Sequence, residues 1–79
     1  MKIYVTFGQI HRHEINGTVF DKDTVAVIEC LSDHHGREIA FGVFGERFCF
    51  TFPESGWDEE NMSCFPKGYV EVPREAYDG

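Results

Sequence analysis

Residues 24–52 read TVAVIECLSDHHGREIAFGVFGERFCFTF, and this stretch decides the fold. Its first seven residues are rich in β-branched side chains, which favour a buried strand. Ser32 or Asp33 can accept a backbone N–H as the cap of a helix over 32–44, and Gly45 can end that helix in the left-handed conformation. One helical stripe then carries the apolar side chains of Ile39, Ala40, Val43 and Phe44. The stretch predicts strand, helix and strand with little linker between them.

The second strand of this unit is predicted over 47–52. Phe48, Phe50 and Phe52 alternate there, which predicts that all three rings leave one face. A helix of about thirteen residues spans roughly 20 Å, about the length of a six-residue strand. The chain should therefore run along one strand, back along the helix and forward again. Strands 24–30 and 47–52 are then parallel with a right-handed crossover; whether the first strand lies between them or outside them stays open.

A long hairpin is predicted for the N-terminal part. Asn16-Gly17 favours a type I′ turn, because that turn needs positive φ at both central residues. Residues 2–7 alternate, so their apolar side chains share one face. A continuous register from the turn pairs six apolar residues on that face. The predicted pairs are Phe7–Ala26, Val5–Ile28 and Ile3–Cys30.

Polar residues replace the apolar pairs in the middle of this hairpin, and Gly8 suits a bulge. We expect the two arms to twist away from the sheet as a protruding polar arm over 9–24. Its apolar content would be Ile10, Ile15, Val19 and Phe20. The arm is either a solvated element with ordinary surface charge or a binding edge with varied hydrogen-bonding groups. The residues predicted to bind a partner are Gln9, His11, Arg12, His13, Asp21, Lys22, Asp23 and Arg37.

The remaining chain predicts a small domain of the α+β class over 1–79. Residues 53–67 are irregular and acidic, with a short turn of helix at 58–62; Pro66-Lys67-Gly68 predicts a turn, and a strand follows over 69–72. A frayed tail is expected over 73–79. The architecture predicted is an N-terminal long hairpin and one helix packed on a mixed sheet of three or four strands. A domain this small buries only about 60% of its unfolded surface, and its eight Phe residues enlarge the core.

Charge and composition exclude some classes of partner. The formal net charge is −7 and the seven Lys and Arg residues are scattered singly, which argues against non-specific nucleic-acid binding. Three cysteines without a CxxC motif fit a reducing cytoplasm. The N-terminus alternates polar and apolar residues, and no apolar run approaches the roughly eighteen residues of a membrane span. We therefore expect a soluble, cytoplasmic domain with no membrane partner.

Histidines and cysteines invite a zinc hypothesis. The predicted topology separates His11 and His13 from His34 and His35 by on the order of 20 Å. A site built on the first pair and a nearby aspartate would be open and weak. The thiol of Cys30 lies on the predicted core face, and the chain has no glycine-rich phosphate loop. We expect no catalytic residues, no metal and no cofactor.

The chain resembles a family of small accessory proteins of bacteriophages and prophages. The stretches that carry the resemblance are KIYVTFGQ (2–9), the histidine pair followed by EING (14–17), FDKDTVAVIE (20–29), GREIAFGVFGERFCF (36–50) and FPKGYVEV (65–72). Together they cover nearly the whole chain. The resemblance implies an origin rather than an activity: a non-virion product that works in the cytoplasm of the bacterial host.

Three classes of function follow. The first is an inhibitor that binds a host protein, either a defence system such as CRISPR–Cas or a nucleic-acid-handling protein. Its contact surface would be the arm over 9–24, and the alternatives are the acidic 54–60 stretch and the open sheet face. An acidic surface could also imitate nucleic acid toward a DNA-binding host protein.

The second class is a sponge for a nucleotide signal of a defence system, which would build its pockets between subunits of a homo-oligomer. The residues expected to hold the phosphate or base are His11, His13, Lys22 and Arg37. The third class is a metal-dependent hydrolase that uses the histidines.

Overall fold

The computed structural model describes residues 1–77 and shows an α+β fold, as predicted. In chain order the elements are β1 (Lys2–Thr6), β2 (His13–Ile15), β3 (Thr18–Phe20), β4 (Thr24–Glu29), α1 (Asp33–Phe44), β5 (Phe50–Pro53) and β6 (Gly68–Glu71). Short 3₁₀ helices occupy Glu54–Gly56, Glu59–Cys64 and Arg74–Ala76. Over residues 1–77, none of the helices has the length and apolarity that a bilayer crossing requires.

The main sheet has four strands in the order β5-β1-β4-β6, and β2 pairs with β3 in a separate hairpin. β1 is antiparallel to both of its neighbours, whereas β4 and β6 are parallel. It follows that β4 and β5 run in the same direction, as predicted, although they are not adjacent. β1 lies between them, which answers the question that the sequence left open.

The register at the base of the N-terminal hairpin differs from the prediction by two residues. Val5 pairs with Ala26 and Ile3 with Ile28, so the predicted pairs Phe7–Ala26, Val5–Ile28 and Ile3–Cys30 are wrong. At the tip, Ile15 lies opposite Thr18 as predicted. Gly8 adopts φ +66° and opens a turn, so the first arm is two residues longer than the second between base and tip. A shift of two keeps every side chain on its predicted face.

The helix begins and ends as predicted. The Ser32 hydroxyl accepts the backbone N–H of His35 at 3.1 Å, and Gly45 takes φ +65° at the other end. Ala40 and Phe44 are buried, while the other two residues of the predicted stripe pack at the margin of the core. Gly36 is also buried, because α1 lies directly on β1 at this position.

The hairpin of β2 and β3 is not the protruding arm that the sequence predicts. Phe20 is fully buried, and its ring centroid lies 5.6 Å from that of Phe44 and 6.1 Å from that of Phe7. Ile15 packs against the same cluster. The hairpin therefore closes one end of the core on the helix side of the sheet. Burial of the two apolar side chains outweighs the polar character of the intervening loops.

The three phenylalanines predicted on one face separate. Phe50 and Phe52 lie in β5 and share the face opposite α1, with ring centroids 6.0 Å apart. Phe48 precedes the strand, packs against the core and contacts Phe41 at 5.1 Å. The prediction is wrong for Phe48 because side chains alternate regularly only within the paired strand. After β6, Tyr77 packs against the core, and the end of the predicted frayed tail lies outside the described residues.

Candidate functional site

His13, one of the residues predicted to bind a partner, holds the hairpin in place. Its half-buried ring lies 5.0 Å from that of Phe44 and 5.7 Å from that of Phe7, centroid to centroid. Nε2 is 2.7 Å from the carbonyl oxygen of Arg47. A carbonyl only accepts, so Nε2 carries the proton that it donates. These contacts join β2 to the end of α1. This structural role is enough to explain the histidine at position 13.

Asp21 also has a structural role. Its Oδ1 accepts the backbone N–H of Asp23 at 3.0 Å and the hydroxyl of Thr24 at 3.2 Å, while Oδ2 is 3.0 Å from Nζ of Lys67. The ion pair with Lys67 and the backbone hydrogen bond from Asp23 lower the pKa of Asp21, which burial only partly opposes. The carboxylate therefore ties the turn before β4 to the turn before β6.

The other predicted binding residues do not converge on one site. Gln9, Arg12 and Lys22 are exposed on the hairpin loops, and His11 is half-buried there. The ion pairs near them are weak surface contacts: Arg12 with Glu14 at 4.0 Å and Lys22 with Asp23 at 3.4 Å. Arg37 is exposed on α1, about 10 Å along the helix from Phe44. A role of these residues in binding stays a prediction.

The zinc hypothesis and a reactive cysteine both lack support in the arrangement of residues 1–77. Over residues 1–77, no group of three or more His, Cys, Asp or Glu side chains is arranged to hold a metal ion. His34 pairs with Glu38 at 2.8 Å, and Nδ1 of His35 accepts the N–H of Leu31 at 2.9 Å. The three cysteines are free, and burial raises the pKa of the Cys30 thiol. That the protein carries no metal remains an expectation, which elemental analysis can check.

The face of the sheet opposite α1 carries an aromatic layer that the sequence did not predict. Tyr4 lies near its centre, with ring centroids 5.4 Å from Trp57 and 5.3 Å from Tyr69. Trp57 extends the layer to Phe52 at 5.3 Å and to Phe65 at 6.2 Å. Its Nε1–H donates to the Tyr69 hydroxyl at 3.0 Å. The layer is therefore both packed and hydrogen-bonded.

The segment between β5 and β6 folds over this face through its two 3₁₀ turns. The carboxylate of Asp58 accepts the backbone N–H of Glu60 at 3.0 Å and so caps the second turn. Beneath the rings, Val25 and Val27 of β4 are buried. The aromatic rings and the segment between β5 and β6 thus cover the valines on the face of the sheet opposite α1.

Exposed carboxylates lie on the segments that carry part of the aromatic layer, namely the segment between β5 and β6 and β6 itself. They belong to Glu54, Asp58, Glu59, Glu60 and Glu71. None of them forms an ion pair with a basic side chain among residues 1–77. The pKa of Tyr4 is raised, first by burial and then by the negative charge of Glu54, with a smaller contribution from Glu59. These five carboxylates and the rings of Tyr4, Phe52, Trp57, Phe65 and Tyr69 form what we call the acidic–aromatic face.

At least two of the cavities that residues 1–77 form open on this face. One, of about 230 Å³, is lined by Thr6, Phe52, Trp57, Asn61, Cys64 and Phe65. The other, of about 260 Å³, is lined by Lys2, Tyr4, Val27, Glu59, Tyr69 and Glu71, and we call it the tyrosine pocket. A larger cavity of about 410 Å³ lies at the start of α1, but His35 and the Met1 ammonium on its wall already bond to backbone groups.

The sequence predicts the acidic 54–60 stretch and the open sheet face as alternative surfaces, but it does not predict the residues that join them. Tyr4 alternates with the core residues of β1, and Tyr69 and Glu71 alternate in β6. That period-two pattern was the available signal, because it sends these side chains to the face away from the helix. The pattern did not show that the side chains from β1 and β6 lie together on one face.

Comparison with known proteins adds no assignment. No protein-family model, curated protein or solved structure matches the chain. The resemblance to bacteriophage accessory proteins therefore stays a prediction.

Proposed function

We propose that this protein is a bacteriophage-encoded accessory protein that binds a basic surface of a bacterial host protein. By doing so it inhibits an antiviral defence system, of which CRISPR–Cas is an example. The observation that supports the proposal is the acidic–aromatic face, where carboxylates without a basic partner among residues 1–77 border partly exposed rings. Aromatic anchors inside a polar rim are typical of protein interfaces. The charge of the rim selects a basic partner.

Proteins that handle nucleic acids are the class of host protein that best fits this face. They present clustered Lys and Arg to the phosphate backbone. A folded acidic domain that occupies such a groove competes with nucleic acid for the same positive charges. The net charge of −7 speeds the encounter with a basic groove, because opposite charges steer diffusion at moderate ionic strength.

The hairpin loops over 9–24 are the second surface to be tested, and the fold separates it from the first. The hairpin packs on the helix side of the sheet, whereas the acidic–aromatic face lies on the other side. Variants of one surface therefore leave the other unchanged. Gln9, Arg12 and Lys22 suit the hairpin variant, because they are exposed and, unlike His13, do not hold the fold.

The experiment uses bacteria that each carry one defence system and scores phage plating while the protein is expressed. The face variant Asp58→Asn/Glu59→Gln/Glu60→Gln should lose inhibition. Its matched control, Asp33→Asn/Glu38→Gln/Glu46→Gln, removes the same charge elsewhere and should keep it. Expression level and melting temperature of each variant check that it is folded.

The other outcomes decide against parts of the proposal. If Gln9→Ala/Arg12→Ala/Lys22→Ala loses inhibition and the face variant does not, the hairpin is the contact surface. If both triple carboxylate variants lose inhibition equally, total charge matters and the face has no special role. If the wild-type protein inhibits no system, inhibition of host defence is the wrong function.

A further inference from the structure

We infer that the tyrosine pocket binds an arginine side chain of the partner protein. This inference rests on the proposed function and adds a specific contact to it. The pocket has two phenol rings on its wall, the apolar side chain of Val27, and the carboxylates of Glu59 and Glu71. An arginine needs this combination, because its stem is apolar and its guanidinium is a planar cation.

The two tyrosine rings offer a surface for the guanidinium. The ring of Tyr4 is 5.3 Å from that of Tyr69, centroid to centroid, and the planes are tilted by 39°. Tyr69 is 43% exposed, so a partner side chain can reach it from solvent. A cation over the face of a tyrosine is attracted by the ring quadrupole, and arginine stacks on such faces more often than lysine does.

The charges that line the pocket favour a cation. Glu59 and Glu71 contribute two negative charges and Lys2 contributes one positive charge, so one negative charge is uncompensated. Since both glutamates are exposed, an incoming guanidinium can hydrogen-bond to them without a large desolvation cost. Among residues 1–77, Lys2 is the one cation that lines the pocket, and it opposes the ligand. Its removal should therefore strengthen binding.

The rings are held in position before any ligand arrives. The Tyr69 hydroxyl accepts the indole N–H of Trp57, and the rings of Trp57 and Tyr4 pack edge to face. Val27 beneath them is only 5% exposed. A ligand that enters a preformed pocket loses less free energy to side-chain ordering than one that must assemble its site.

The test measures binding of a hexa-arginine peptide to the whole protein by NMR, at an ionic strength of about 0.1 M, where the Debye length is about 10 Å. The peptide should shift the ring signals of Tyr4 and Tyr69. A hexa-citrulline peptide, which keeps the shape without the charge, should not, and hexa-lysine should bind more weakly. Glu71→Gln should weaken binding of hexa-arginine about two- to fivefold, as expected for one exposed ionic contact.

Two further variants test the charge on the pocket lining, and the second compares it with a charge elsewhere. Lys2→Gln should strengthen hexa-arginine binding by a similar factor, which a purely structural role of the pocket would not produce. Glu46→Gln removes one charge beyond the end of α1 and should have a smaller effect than Glu71→Gln. Equal effects of these two glutamate variants, or equal binding of hexa-lysine and hexa-arginine, would overturn the inference.

Failure of this inference can be distinguished from failure of the proposed function. If hexa-arginine leaves the Tyr4 and Tyr69 signals unchanged, the pocket is not the site, while the acidic–aromatic face is still judged by phage plating. If the peptide binds as expected but Glu71→Gln inhibits the host defence as well as wild type does, the pocket is an arginine site that the function does not use. That outcome also overturns the inference, because the inference states that the bound arginine belongs to the host protein that is inhibited.

Discussion

Replacing Gly36 by alanine should destabilise the protein, whereas the same replacement at Gly42 should stabilise it. Both glycines lie in α1, where alanine is preferred to glycine by about 1 kcal/mol. A Cβ added at Gly42 meets no atom within 4 Å, so the preference for alanine acts alone there. A Cβ added at Gly36 would lie 2.7 Å from Cγ2 of Ile3 and 3.0 Å from Sγ of Cys30. The helix is therefore in direct contact with β1 at Gly36.

The size of the effect follows from these contacts. Ile3 is fully buried, so its methyl group cannot move aside unless α1 or β1 shifts. Overpacking of this kind costs about 1–3 kcal/mol. After the helix preference of about 1 kcal/mol is subtracted, Gly36→Ala should lower the free energy of unfolding by up to about 2 kcal/mol. A change of about 1 kcal/mol moves the melting temperature of a domain this small by about 4–8 °C.

The assay is urea unfolding of both variants, followed by circular dichroism. The difference between the two free energies of unfolding isolates the close approach at Gly36, since the helix preference is common to both. If Gly36→Ala stabilises the protein as much as Gly42→Ala does, α1 does not sit against β1 as the structure shows. The packing of the whole helix would then need to be revised.

Two further predictions concern the core and the turn before β4. Phe44→Ala should lower the free energy of unfolding by about 3–5 kcal/mol, because a large buried side chain is removed. Phe41→Ala should lower it clearly less, since that ring is 47% exposed. Equal losses in urea unfolding would contradict the assigned faces of α1. The folded pKa of Asp21 lies below its unfolded value of about 3.9, so the contacts with Lys67 stabilise the protein above that pH, and this stability is lost as the pH falls through the folded pKa. Wild type should thus be more stable than Asp21→Asn near neutral pH and lose that advantage in acid, and a pH-independent difference would refute the role of the ionised carboxylate.

Local features were determined by the sequence itself. The helix lies between Ser32, one of its two predicted caps, and its predicted end at Gly45, because both signals act on backbone groups within one turn. The Asn16-Gly17 turn forms with positive φ at both residues and pairs Ile15 with Thr18. The α+β class follows from the periods of these segments, and the alternation in β1 set which side chains face the helix.

Tertiary structure alone decided how these pieces meet. Contacts between distant segments decide three features of the fold. These are the position of β1 between β4 and β5, the two-residue shift at Gly8, and the packing of the β2–β3 hairpin on the core. The candidate site depends on them still more, since Tyr4, Trp57 and Tyr69 come from three separate parts of the chain. Sequence patterns report which face a side chain takes relative to its near neighbours. Which faces pack against each other depends on how all the elements together bury their apolar surface. That arrangement exists only in the folded chain.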